Sequence, residues 1–150
     1  MPHTQVILLV DDDANDRLLI RRAFDAAGII NPVFEVPDGS KAIAYLAGEG
    51  VYANRALFPF PRIILLDLNM PGANGFDVLQ WIRSKLTTQG LLIIVLSAAA
   101  EIRQINRAYA LGANSFLIKP SHKEDLNQLI TAFRDYWLLR NKPPRPETSF

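Results

Sequence analysis

Three aspartates, Asp11, Asp12 and Asp13, follow directly on the apolar run "VILLV" at residues 6–10. Carboxylates crowded to about 4 Å repel by roughly 4 kcal/mol per pair at an effective dielectric near 20. Solvent, a basic partner or a bound cation must therefore offset them. Other apolar runs end on equally reactive groups. "RIILLD" (62–67) closes on Asp67, with Asn69 two residues later, and "LLIIVLS" (91–97) closes on Ser97, followed by Ala98, Ala99 and Ala100. "SFLIKP" (115–120) delivers Lys119 and Pro120. Carboxylates, a hydroxyl and an ammonium brought to one place make an oxygen-rich, sulfur-free set that suits magnesium. A divalent cation would answer the aspartate repulsion. A carboxylate beside it can serve as nucleophile in phosphoryl transfer. Of the charge developing on the equatorial phosphoryl oxygens, the metal and Lys119 can each neutralise part, and Ser97 can donate a hydrogen bond to the rest.

These groups meet only if the strands that carry them end on one side. The four runs are short and continuously apolar, as in parallel strands covered on both faces. A more polar run, "NPVFEV" (31–36), reads as a strand at the sheet's edge. Helical periodicity fills the gaps. Over 16–27, Leu19, Ile20, Ala23, Phe24 and Ala27 share a face and Gly28 is a stop. Asp38 caps a helix over 40–47, and "NGFDVLQWIRSKL" begins another with Phe76, Leu79 and Ile82 inward. Ile102, Ile105, Ala108 and Tyr109 mark a fourth helix over about 101–111, ending at Gly112. Leu126, Ile130, Phe133 and Trp137 align along a last helix over 122–139. Five strands alternating with five helices predict a doubly wound α/β sheet, whose right-handed crossovers gather the carboxyl ends on one rim. Ligands bind such sheets at that rim.

Composition sets the limits. The 150 residues suit one domain with a real core, over 1–140, followed by a proline-rich extended tail at 141–150. Residues 48–61, "GEGVYANRALFPFP", read as a long loop that its aromatics pack down. The chain has no cysteine, which excludes thiolate chemistry and zinc–sulfur sites, and His3 and His122 are too few for a histidine metal cluster. Sixteen basic against fifteen acidic residues, with no basic stripe, give no footprint for nucleic acid. The N-terminus lacks the pattern of a signal peptide, and no apolar run reaches the roughly 20 residues a spanning helix needs. A cytoplasmic protein is expected.

"LLVDDDANDR", "ILLDLNMPGANGFDVL", "VLSAAAE", "AYALGANSFLIKP" and "DYWL" together resemble the receiver domain of two-component response regulators. The likeness spans about residues 5–139 and is greatest to stand-alone receivers associated with bacterial phytochromes. It implies a flavodoxin-like five-stranded parallel sheet in the order 2-1-3-4-5. It implies Asp67 as phosphoacceptor, with Asp11, Asp12, Asp67 and the Asn69 carbonyl holding Mg2+, for which Mn2+ can substitute. Ser97 and Lys119 match the family's other catalytic groups, and Ser97 with Phe116 its switch pair. Ala98 matches a small residue that leaves the pocket open, and Lys119–Pro120 a cis bond. The family's reaction takes phosphate from a histidine kinase, here one of the bacteriophytochrome kind, and loses it again by self-catalysed hydrolysis.

Two features depart from the pattern: the extra carboxylates Asp13 and Asp16, which read as N-terminal helix residues stabilised by exposed amides, and a switch aromatic, Phe116, with no hydroxyl to donate. The last helix carries a second apolar stripe, Leu129, Ala132, Tyr136 and Leu139, which needs a cover. A second copy of the chain fits that need, through this helix or through the fourth helix, fifth strand and fifth helix together. Leu18 amid Arg17, Arg21 and Arg22 suits a kinase-docking surface. Two alternatives share the residues: a receiver-like binding module without chemistry, and a haloacid-dehalogenase-like phosphohydrolase, which places its nucleophile after the first strand.

Overall fold

In a computed structural model, residues 5–70, 72–85, 88, 90–98 and 101–142 are described. His3, Ala99, Ala100 and the tail from 143 onward lie outside them. The apolar runs form β1 (Ile7–Val10), β2 (Val33–Val36), β3 (Ile63–Leu66), β4 (Leu92–Ser97) and β5 (Ser115–Ile118). Helices alternate with them: α1 (Ala14–Ala26), α2 (Gly39–Ala47), α3 (Gly75–Arg83), α4 (Ile102–Ala110) and α5 (Lys123–Phe133). All neighbouring strands pair in parallel, in the order β2-β1-β3-β4-β5. The expected topology holds, and "NPVFEV" does supply an edge strand.

Because side chains alternate across a strand, each run feeds two cores. Leu8, Val10, Ile64, Leu66, Ile93 and Val95 pack with α2 and α3 residues such as Ala42, Tyr45, Val78 and Leu79. Ile7, Leu9, Ile63, Leu65, Ile94 and Leu96 pack with Ile20, Phe24, Ile130 and Phe133 from α1 and α5. Caps fix where the helices start. Asp38 accepts the Lys41 N–H at 2.8 Å, and Asn74 and Asp77 form a reciprocal capping box at α3.

The 48–61 segment is packed down as its aromatics suggested. Tyr52 packs tilted and Phe58 edge-on against Tyr45, and the Arg55 guanidinium donates to the carbonyls of Tyr45, Leu46 and Phe58. Burial pushes the Tyr45 hydroxyl up to about 12. It donates instead to the Pro59 carbonyl at 2.8 Å.

Three packing expectations need correction. Leu19 lies at the rim of the α1 stripe and is 39% exposed. On α4 only Ala108 is buried, while Ile102 and Tyr109 are exposed. Tyr109 reaches sideways instead, its hydroxyl accepting the Phe116 N–H at 3.1 Å. The last helix keeps Leu126, Ile130 and Phe133 inward but passes into a π-helical turn at Arg134–Leu138. There the Leu139 N–H donates to the carbonyl five residues back, at Arg134. That extra residue per turn delays the phase by one position. Leu138 is buried and Trp137 only half-buried. Leu138→Ala should cost about 2–4 kcal/mol in chemical denaturation. Leu139→Ala, next door but exposed, should change stability by under about 0.5 kcal/mol.

Candidate functional site

Asp11, Asp12 and Asp13 sit in the connection between β1 and α1, and each does something different. The Asp13 carboxylate caps α1, accepting the N–H groups of Asn15 at 2.8 Å and Asp16 at 3.1 Å. Asp11 turns inward and is 1% exposed. One of its oxygens accepts the Asp13 N–H at 3.0 Å, and the other meets Lys119. Arg17, in the first turn of α1, donates to the Asp11 carbonyl at 2.7 Å and so pins this loop. Asp12 faces solvent.

Asp67 directly follows β3 and is 8% exposed. Its Oδ1 accepts the Asn69 N–H at 3.2 Å. The Asn69 amide group also donates to the Ser97 hydroxyl at 3.1 Å, linking the loop after β3 to the end of β4. The sequence reading gave Asn69 only a backbone carbonyl as its contribution. Lys119 closes the group from the end of β5, its own N–H donated to the Ser97 carbonyl at 2.8 Å. Its ammonium lies 2.7 Å from Asp11 Oδ2, 2.9 Å from Asp16 Oδ2 and 3.7 Å from Asp67 Oδ2.

Charge state follows from these neighbours. Burial raises the Asp67 carboxyl above its ordinary value, while Lys119 and the Asn69 N–H pull it down without cancelling the rise. Asp11 and Asp12 push it further up. Burial works the other way on Lys119, but hydrogen bonds to Asp11 and Asp16 and the charge of Asp67 outweigh it. The lysine is held above its usual value and stays an ammonium.

The structure brings Asp11, Asp12, Asp67, Asn69, Ser97 and Lys119 onto one rim. Phe116 stands apart on β5, half-buried against the core beneath α2 and α3. Asp16 is the group that sequence reasoning took for a helix-end residue only. Its place in the first turn of α1, just after the acidic run that ends β1, was the available signal. The Lys119–Pro120 peptide is trans, since no described bond is cis, and this corrects the expectation of a cis bond. Lys119 reaches its carboxylates from the trans backbone, the form an X–Pro bond favours by about 0.5–1 kcal/mol. Gly72 is a turn glycine at φ 71°. Gly75, by contrast, opens α3 against the loop that carries Asp67, where a Cβ would lie 2.5 Å from the Asp67 carbonyl oxygen.

One oxygen from each of Asp11, Asp12 and Asp67 lies within 4.8 Å of the others. Oxygens bound to one octahedral magnesium at about 2.1 Å are about 3 Å apart when adjacent and 4.2 Å when opposite, so small rotations would suffice. The donors are hard oxygens, and exposed Asp12 leaves room for the waters magnesium retains. The set fits the ion. Asp12→Ala should weaken magnesium binding at least about tenfold by calorimetric titration, because it removes one of three charges.

Residues 7–131 match the family described as "Response regulator receiver domain". A probable methanogenesis regulatory protein, FilR2 of Methanothrix harundinacea, is 36% identical over 94% of this chain and 88% of its own. Response regulator Rcp1 of Synechocystis is 31% identical over 89% of each chain. Its Mn(2+)-bound crystal structure superposes with a TM-score of 0.85, covering 94% of this chain and 99% of that one at 30% identity. The phosphorylated cyanobacterial phytochrome response regulator RcpA gives 0.87 at 34% identity, over 95% and 99% of the two chains. Sheet order, rim chemistry and sequence relationship agree, and the chain belongs to the response regulator receiver domain family.

Proposed function

We propose that this receiver takes a phosphoryl group from a sensor histidine kinase onto Asp67 and later releases it as orthophosphate. The observation that carries the reading is the Asp67 carboxylate itself. It is nearly buried, 3.7 Å from an ammonium and within 4.8 Å of two further carboxylates. An Asp67 oxygen attacks phosphorus, and the bond from phosphorus to the donor's imidazole nitrogen breaks, its electron pair returning to the ring. Lys119 balances charge on the incoming group, and the Ser97 hydroxyl, now engaged by Asn69, can turn to donate to a phosphoryl oxygen. A divalent cation held by Asp11, Asp12, Asp67 and the Asn69 carbonyl would supply further neutralisation of the transferred oxygens. Mg2+ is the natural occupant, and Mn2+ suits the same oxygens. For release, water attacks phosphorus and the acyl oxygen departs with its pair to regenerate the carboxylate.

Phosphate adds about −1.5 to −2 charges at the rim. As Ser97 turns towards it, space opens that Phe116 can enter from β5, changing the surface formed by α4, β5 and α5. The likeness to the phytochrome response regulator RcpA supports a bacteriophytochrome-type kinase as the partner, in the cytoplasm. Among the described residues no helix is long and apolar enough to cross a membrane. Leu129 and Tyr136 line an apolar groove with Leu117 and Trp137, whereas Leu139 lines a separate one with Ile29 and Ile30. A second copy of the chain covers the Leu129–Tyr136 groove. Tyr136→Asp should then convert a dimer to a monomer in light scattering. Mass spectrometry after incubation with acetyl phosphate and magnesium tests the chemistry directly. One added phosphate on Asp67 is expected, and an unmodified protein or a different residue would overturn the reading.

A further inference from the structure

Lys119 is not aimed at the acceptor carboxylate. Its two short contacts are with Asp11 at 2.7 Å and Asp16 at 2.9 Å, both on the α1 side of the cleft, while Asp67 lies 3.7 Å away. The lysine side chain is 10% exposed and that of Asp11 is 2% exposed, so this part of the network is closed to water. Asp16 is different. At 36% side-chain exposure it is partly open to solvent, and it stands outside the group of carboxylates close enough to share one cation. It owes its place to α1, whose first turn Asp13 fixes by capping the Asp16 N–H.

We infer that Asp16 is a positioning residue that holds the Lys119 ammonium towards α1 and competes with phosphoryl oxygens for it. The inference rests on the proposed phosphoacceptor role of Asp67. An ammonium has three protons to give, and two are engaged at short range by Asp11 and Asp16, with Asp67 farther off at 3.7 Å. When Asp11 turns towards a cation, Asp16 keeps the short contact at 2.9 Å, against 3.7 Å for Asp67. An anionic donor must draw Lys119 off Asp16 or share it, and must approach against the Asp16 charge. Asp16 therefore sets how much donor the site needs more than how fast the bound donor reacts.

Removing the charge without changing shape, as in Asp16→Asn, separates this role from a structural one. The acetyl phosphate concentration giving half the maximal labelling rate should fall about 3- to 10-fold at low salt, with the maximal rate within about 2-fold. At 0.5 M salt the difference should shrink below about 2-fold, because Asp16 is open enough to be screened. Asp16→Glu should keep the parent's donor requirement. Asp25→Asn, which removes one charge from the far end of the same helix, should also leave it unchanged. In metal-free 15N-labelled protein, the Lys119 ammonium resonance should shift in Asp16→Asn and not in Asp25→Asn. An unchanged half-maximal concentration in a folded Asp16→Asn protein overturns the inference, as does an equal fall in Asp25→Asn. Failure of the parent protein to label on Asp67 would instead overturn the phosphoacceptor reading, so the two failures are distinct.

Discussion

Asp67→Asn should abolish phosphate incorporation from acetyl phosphate while making the metal-free protein more stable. The loss should exceed about a thousandfold, because a neutral amide oxygen is no nucleophile towards phosphorus. The gain follows from the site's electrostatics. Burial, reinforced by Asp11 and Asp12, raises the Asp67 carboxyl above its ordinary value of 3.8, against the pull of Lys119. A carboxyl that binds its proton more tightly when folded destabilises the fold once ionised. The cost is absent below the unfolded value, grows as pH rises from there towards the folded one, and is complete above it. The variant should therefore match the parent near pH 3 and melt higher at pH 7. Saturating magnesium should narrow that gap by favouring the ionised parent. Equal melting temperatures at both pH values would show that the buried carboxylate carries no strain.

Gly75→Ala should damage fold and site together. The added Cβ would stand 2.5 Å from the Asp67 carbonyl oxygen and 2.6 Å from Leu68 Cα, both backbone atoms that cannot rotate away. The Gly75 N–H also donates to the Leu68 carbonyl at 3.2 Å, so α3 is tied to the loop it would have to leave. Overpacking of this kind costs about 1–3 kcal/mol where side chains can yield. Against the backbone of Asp67 and Leu68, about 2–4 kcal/mol is expected in urea denaturation. The loop that presents Asp67 and Asn69 must shift to relieve the contact, so acetyl phosphate labelling should fall about tenfold or more even in the folded fraction. A stable, fully active Gly75→Ala protein would mean that α3 is free to move at no cost to the acceptor loop.

The sheet and most of the rim were legible in the sequence for one reason. A parallel strand buried on both faces must be continuously apolar, so the first polar residue after each run marks the rim. Asp11, Asp67, Ser97 and Lys119 were found that way, and parallel pairing places them together. Contacts that span the fold left weaker marks. Asp16 meets Lys119 across 103 positions of sequence, and its own neighbourhood reads equally well as an ordinary acidic first turn. Gly75 resembles the turn glycine Gly72 because both sit in one short loop, although only Gly75 is chosen for close approach. The π-helical turn was invisible to a regular 100° periodicity, which is why Trp137 was placed where Leu138 packs. The trans bond at Pro120 follows from the local preference of the chain, where family likeness had suggested otherwise.

The Tyr109 hydroxyl bears on the company this protein keeps in a crowded solution. An open sheet has two free borders, each offering unpaired amides to which a stranger's backbone can zip. On the β2 side, Glu35 with Arg17 and Arg21 posts charge along the border. On the β5 side the segment "SFLI" is apolar, and Ile118 is 54% exposed. There Tyr109 already occupies the outward amide of Phe116, blocking the first rung of any such ladder. A motion that lifted α4 from β5 would withdraw the phenol and leave that amide open to a stranger's carbonyl.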